Sequence, residues 1–337
     1  MDSMRLFNHN ALVLRRRYSM KLGVSHQSPE MLTPGHLAYL RQAGVEAVEV
    51  RMPYHQYSSS VLKNIKARVE DAGLQLHEVM LADRYNCTEI VTGGPQSDTE
   101  TNRFCDFVED LGMAGITATT YAWHTGGAYQ TGTAESRECA TREFRLDVAR
   151  AMQCEYSRSY SADEVWDNYE RFITRVLPIA QDAGVRLQLH PNDPPVDHAG
   201  VPRIFSSTAA FARAMEFASY SPCSGILFCV GTWAEMSGAD GSGEDIDAAI
   251  RQFGSRGVIH QVHLRNIDRP LPDFVETLPD AGYLDLPGLV RTLAEIGFDG
   301  MIVPDHVPLP LHSDADRRTM EAFSLGFIRG IMLAAGA

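Results

Sequence analysis

The sequence predicts an α/β fold, a single-domain (β/α)8 TIM barrel, on three observations. A helix–glycine–strand phrase recurs five times, most strands are apolar throughout, and 337 residues suit eight such units in one barrel. The phrase reads RQAGVEAVEV at 41–50, EDAGLQLHEV at 70–79, EDLGMAGITATTY at 109–121, QDAGVRLQLH at 181–190 and AEIGFDGMIVPD at 294–305. Glycine is the natural left-handed cap just past a helix end, and a short loop then starts the strand.

Strands without that joint are expected at 20–25 (MKLGVS), 225–230 (GILFCV) and 258–264 (VIHQVHL), which brings the number to eight. Amphipathic helices are expected at 34–43, 58–72, 99–112, 163–183, 207–218, 245–254, 286–297 and 314–334. Strands apolar on both faces are those of a parallel sheet covered on both sides. A doubly wound open sheet is the alternative, but no strand is followed by its glycine-rich turn. No linker divides the chain, and the longest irregular stretch, 122–141, follows strand four on the side where barrels build their sites.

Residues 1–19 read as a poorly ordered N-terminal extension, and 20–337 as the barrel domain. LVLRRRY at 12–18 is too short, and places its charges too late, to be a signal peptide. No apolar run approaches the roughly 18 residues of a membrane helix. A formal charge of −13 argues against nucleic-acid or anionic-membrane partners. Six scattered cysteines without a CxxC pair fit reduced thiols in a cytoplasm better than a disulfide framework.

The chemistry gathers at the carboxyl ends of the later strands. LQLHPNDPP at 187–195 is an apolar strand that stops at His190, because prolines end regular structure there. Strand six ends at Cys229 (LFCVGT), strand seven at His263 (QVHLRN) and strand eight at Asp305 (MIVPDH). Taken singly, a strand histidine is a hydrogen-bonded structural residue, a lone cysteine a small buried hydrophobe and an aspartate a turn cap. Four in phase on successive strands converge on one mouth and suit iron(II), manganese(II), cobalt(II) or zinc. His260 is an odd step from His263, so His263, at the strand's end, is the one taken as a ligand.

Arg265 carries a fixed charge suited to a carboxylate, and His306 exchanges protons near neutral pH. Arg203 lies past strand five, Glu78 near the end of strand three, and Tyr121 and His124 near that of strand four. These four are candidate substrate contacts, with surface salt bridges or structural support as the plain alternative. A metal, an arginine and a histidine together point to a small hydroxy acid or sugar acid, the ion stabilising an enolate-like charge while a side chain moves the proton.

LQLHPNDPP, GVPRI, LFCVGT, HLRN and PDH, in that order, resemble the mannonate dehydratase family of metal-dependent barrels, related to the xylose-isomerase-like enzymes. The corresponding family phrases are HPDDPP, GLPRI, CTGS, HLRN and RPDHG, and the resemblance is specific over about 180–306. It implies loss of water from D-mannonate to give 2-keto-3-deoxy-D-gluconate, in hexuronate breakdown, with a manganese-type ion. It implies His190, Cys229, His263 and Asp305 as ligands, His306 as the acid–base residue and Arg265 as a contact for the acid group.

The sequence departs from the family in places. Ala322 and Phe323 stand where the family has a tyrosine hydroxyl, and Tyr283 is the positional candidate to replace it. FVETLPDAGYLDL lacks the family's loop histidines, AYQTGT replaces WTRT, and PDHG has become PDHV. A metal-dependent sugar or sugar-acid epimerase or isomerase is therefore an alternative, and a non-catalytic barrel that binds a sugar acid is a second. A homodimer is the expected assembly.

Overall fold

The computed structural model describes residues 20–156, 158–236 and 243–336. The extension expected over 1–19 lies outside the described residues. Eight parallel strands form a nearly closed barrel: β1 (Lys21–Gln27), β2 (Ala47–Met52), β3 (Gln75–Leu81), β4 (Ala118–Ala122), β7 (Arg186–His190), β8 (Ser224–Cys229), β9 (Ile259–Leu264) and β12 (Met301–Pro304). Their ladders follow the order β3–β2–β1–β12–β9–β8–β7–β4. Side chains join the two ends of that order, since the Thr120 hydroxyl of β4 donates to the Glu78 carboxylate of β3 at 3.1 Å.

The repeated joint works as its chemistry requires. Gly44, Gly73, Gly115, Gly184 and Gly297 all sit at φ between +67° and +84°, a left-handed backbone that residues with a Cβ rarely adopt. In the third phrase Gly115 makes the turn, while Gly112 stays inside helix Ser97–Met113. A Cβ at Gly112 would come within 2.6 Å of the Ala183 carbonyl oxygen, so the small residue lets two helices touch. The longest helix, Ala162–Ala183, starts at a Ser161–Glu164 capping box. It buries Val165, Tyr169, Phe172, Val176 and Ala180 at helical spacing toward the sheet, each large apolar side chain contributing roughly 1.5–3 kcal/mol.

Five short strands lie beyond the barrel: β5 (Gly132–Ser136), β6 (Cys139–Arg145), β10 (Asn266–Ile267), β11 (Asp273–Thr277) and β13 (Leu309–Pro310). They pair as an antiparallel sheet ordered β10–β11–β6–β13, with β5 on β6. Each of their segments follows the carboxyl end of β4, β9 or β12, so the sheet stands at the barrel mouth. The stretch 122–141 is thus less irregular than expected, because β5 folds back on β6 as a local hairpin and the remote strand β13 pairs with Cys139 and Ala140. Helix Val230–Glu235 begins directly after Cys229, so Thr232 and Glu235 also reach the mouth.

Candidate metal centre and active site at the barrel mouth

His190, Cys229 and His263 end three adjacent staves, and one ligand atom from each lies within 4.8 Å of the others. His190 Nδ1 is 2.7 Å from the Pro191 carbonyl oxygen, which only accepts. That nitrogen therefore carries the hydrogen, and the Nε2 lone pair is left for a ligand role. His263 Nδ1 is buried with no hydrogen-bond partner among the described residues. Burial pushes the Cys229 thiol up, but the Arg265 guanidinium and the neighbouring His190 and His263 rings together outweigh it and bring the thiol down to about 6, into the thiolate range at neutral pH.

Asp305 adjoins this trio. Its Oδ2 is 3.6 Å from Cys229 Sγ and its Oδ1 is 3.6 Å from His263 Nδ1. It also accepts from Arg265 Nε at 2.9 Å. Two imidazoles, a thiolate and a carboxylate, with an orphaned buried nitrogen among them, fit a divalent transition ion. His260 stays out of the cluster, its ring packed over Gly225.

The same cavity is lined by His306, His124, Arg51, Glu49, Thr120 and Tyr85. His306 sits at φ 45°, a left-handed conformation rare for a residue with a Cβ. Its Nδ1 is 2.7 Å from Glu276 Oε1, and a carboxylate oxygen only accepts. The Nε2 edge, 3.8 Å from Asp305 Oδ1, is therefore where His306 gains or loses its labile proton. Burial would lower this histidine, yet the Asp305 and Glu276 charges raise it above its ordinary value. His124 is fully enclosed, and burial holds it neutral.

Several expected contacts lie elsewhere. Arg265 is not available to a substrate carboxylate, because its five N–H groups are taken. Nε donates to Asp305, Nη1 to Glu235 and Glu276 at 2.8 Å each, and Nη2 to Asp193 at 2.5 Å and Thr232 at 3.0 Å. It holds the Asp305 carboxylate in place, and Gly231 leaves room for its stem, since a Cβ there would meet Arg265 Cγ at 2.3 Å. Arg203 is likewise spent, donating to the carbonyls of Asp193, Pro194, Thr125 and Gly127 at 2.6–3.1 Å and so pinning two mouth loops together.

Tyr121 faces away from the cavity. Its hydroxyl meets that of Tyr169 at 3.3 Å among Phe104 and Phe172, while its neighbour Thr120 points inward. Tyr283 donates to the Ala234 carbonyl at 2.9 Å and lines a separate surface cavity of about 620 Å³. It stands in for no missing hydroxyl at the cluster.

Glu78 lies a layer below the cavity, where Met80, two residues along β3, takes the lining position. It accepts from Thr120 at 3.1 Å and Gln188 at 3.0 Å. Burial, and then the Glu49 carboxylate, push it up from 4.5 to about 8. The unfolded chain gives up that proton near 4.5 while the native state keeps it to about 8, so stability falls as pH rises across that window. Glu78→Gln keeps the neutral shape and is expected to flatten this slope. Thermal midpoints at about pH 5 and about pH 8 should differ less in the variant than in the parent.

Residues that the strand-end reading passes over complete the mouth. Glu49 and Arg51, both in AVEVRM, line the cavity from β2, and a run of alternating charge inside an apolar strand is the signal that marks them. Glu49 accepts from the His26 backbone N–H and from Gln261, both at 3.2 Å. Arg142, from the mouth sheet, pairs with Asp193 at 2.5 Å and Glu276 at 3.2 Å. With Arg265 it forms a buried ion network that fixes the carboxylates around the site.

A family model described as D-mannonate dehydratase (UxuA) matches residues 138–336. Mannonate dehydratase 2 of Halalkalibacterium halodurans is 34% identical over 154 residues, 44% of this chain and 42% of that protein. A mannonate dehydratase of Streptococcus suis (strain 05ZYH33) is 26% identical over 271 residues, 72% of each chain. The chain spans less than half the length of several curated relatives that it matches, 42–44% of each. The crystal structure of mannonate dehydratase from Streptococcus suis serotype 2 superimposes with a TM-score of 0.82 at 22% identity, covering 94% of this chain and 95% of that one, and so shares the fold.

Proposed function

Since the chain belongs to the D-mannonate dehydratase family, we propose that it is a metal-dependent hydro-lyase taking D-mannonate to 2-keto-3-deoxy-D-gluconate and water. The observation that supports this most is the three-donor cluster on adjacent staves with the His306 imidazole beside it. His190, Cys229, His263 and Asp305 would hold manganese(II), or iron(II), cobalt(II) or zinc in its place. When bound, such an ion supplies Lewis acidity toward a substrate oxygen and stabilises enolate-like charge.

Elimination breaks the C2–H and C3–O bonds and forms the C2=C3 bond, and the resulting enol then takes the keto form. His306, with Nδ1 committed to Glu276, moves a proton at Nε2. Arg265 and Arg142 orient the carboxylates, and the mouth sheet limits water at the reacting carbons. The reading extends to a cytoplasmic role in hexuronate catabolism and to a homodimer, whose mass light scattering would give.

One observation favours a second reading. The helix Arg317–Ala334 carries Ala322 and Phe323 where the family's tyrosine is expected, and Tyr283 does not replace it. A metal-dependent epimerase needs the C2 proton transfer but not the loss of the C3 hydroxyl. Proton NMR of D-mannonate with manganese-loaded protein in heavy water separates the two. Appearance of 2-keto-3-deoxygluconate supports the dehydratase. Deuterium at C2 without water loss supports the epimerase, and an unchanged spectrum overturns both for this substrate.

A further inference from the structure

Three arginines at the mouth, Arg265, Arg142 and Arg203, are each engaged by other protein groups. Arg265 and Arg142 are paired with carboxylates, and Arg203 with backbone carbonyls. Arg51 differs. It lines the same cavity from β2, and its side chain forms no hydrogen bond or ion pair among the described residues, at Nε or at either Nη. The Tyr85 ring lies under its guanidinium, 5.5 Å from Cζ to the ring centroid.

The carboxylates that line the cavity do not neutralise Arg51 by contact. Glu49 is engaged by Gln261 and the His26 backbone, Asp193 by Arg142 and Arg265, and Asp305 by Arg265. The neighbouring His26 and His124 rings are held neutral, chiefly by burial, with His26 down at about 4. A partly buried guanidinium with unused donors, facing a cavity, calls for an anion with paired oxygens.

Resting on the sugar-acid reading above, we propose that Arg51 receives the substrate's carboxylate and selects acids over neutral sugars. In the barrel order β2 stands opposite β8, the stave that carries Cys229. The acid end of the substrate is thus fixed on one wall, and its reacting carbons lie toward the metal-capable wall and His306. A rigid strand carries the arginine, so the carboxylate sets the substrate's position for the chemistry.

The test is titration calorimetry with D-gluconate and its uncharged counterpart D-glucitol, on wild type, Arg51→Lys and Arg51→Gln. Circular dichroism would check folding and plasma emission the metal content. Wild type should favour gluconate. Arg51→Gln should lose roughly 30-fold or more in gluconate affinity, Arg51→Lys less, with glucitol binding and metal content unchanged. Gluconate binding that survives Arg51→Gln, in a protein that still favours the acid, overturns the assignment of Arg51. Absence of any acid preference in wild type overturns the sugar-acid reading itself.

Discussion

Replacing His190 with alanine is expected to yield a folded protein that does not retain its divalent ion and has lost turnover of D-mannonate by more than about 100-fold. The bound follows from where His190 stands. Changing a residue that merely orients a metal ligand already costs about 10–100-fold in affinity or activity, so deleting a donor costs more. Three donors within 4.8 Å leave an ion with few alternatives, since the nearby Glu276 and Asp193 carboxylates are already held by Arg265 and Arg142. His190 is only partly buried and its Nδ1 is tied to the adjacent Pro191 carbonyl, so its removal opens the mouth rather than the core.

The readouts are metal per chain after dialysis and the thermal midpoint with and without added manganese. The parent should gain stability from the ion as RT ln(1 + [L]/Kd), and His190→Ala should gain little. Cys105→Ala is the matching control, because Cys105 is a buried thiol in helix Ser97–Met113, far in sequence from the strand ends. Unchanged metal content and activity in His190→Ala would remove the trio as the metal centre.

The barrel is legible in the sequence because its signals are local. A left-handed glycine between an amphipathic run and an apolar run needs no distant partner to be read, and the helix ends that precede Gly44, Gly73, Gly184 and Gly297 were visible from it. The metal-capable strand ends are legible for a related reason, since parallel staves place equivalent positions at one rim. Side-chain direction within an apolar strand is harder. ATTYA at 118–122 is buried throughout, so nothing local says that Thr120 faces the cavity and Tyr121 the helices.

The electrostatic network was illegible for a different reason. Arg265 looks free in HLRN, and only folding brings Asp193, Glu235 and Glu276 to its donors from three other segments. The mouth sheet escaped notice likewise, because beyond its local partner β5, β6 pairs with β11 and β13, more than a hundred residues away. Arg51 could have been found. Glu49 and Arg51 alternate with Val48, Val50 and Met52, and two charges in a strand otherwise destined for the interior demand a polar cavity.

His306→Asn tests the proton chemistry most directly. Asparagine is among the few residues that accept a left-handed backbone readily, so it preserves the φ 45° turn that the native histidine occupies and removes only the imidazole. The side chain is 28% exposed and packs no core, so stability should change little while kcat falls by roughly 10²–10⁴-fold, the range of a lost general acid or base. Metal content should stay at the parent level, which separates this variant from His190→Ala. Deuterium exchange at C2 then assigns the step. If exchange persists while water loss stops, the Nε2 proton goes to the leaving C3 hydroxyl. If both stop, the same nitrogen removes the C2 proton. Either result follows from one geometric fact: Glu276 holds Nδ1, so all proton traffic at His306 passes through the nitrogen that faces Asp305 and the cavity.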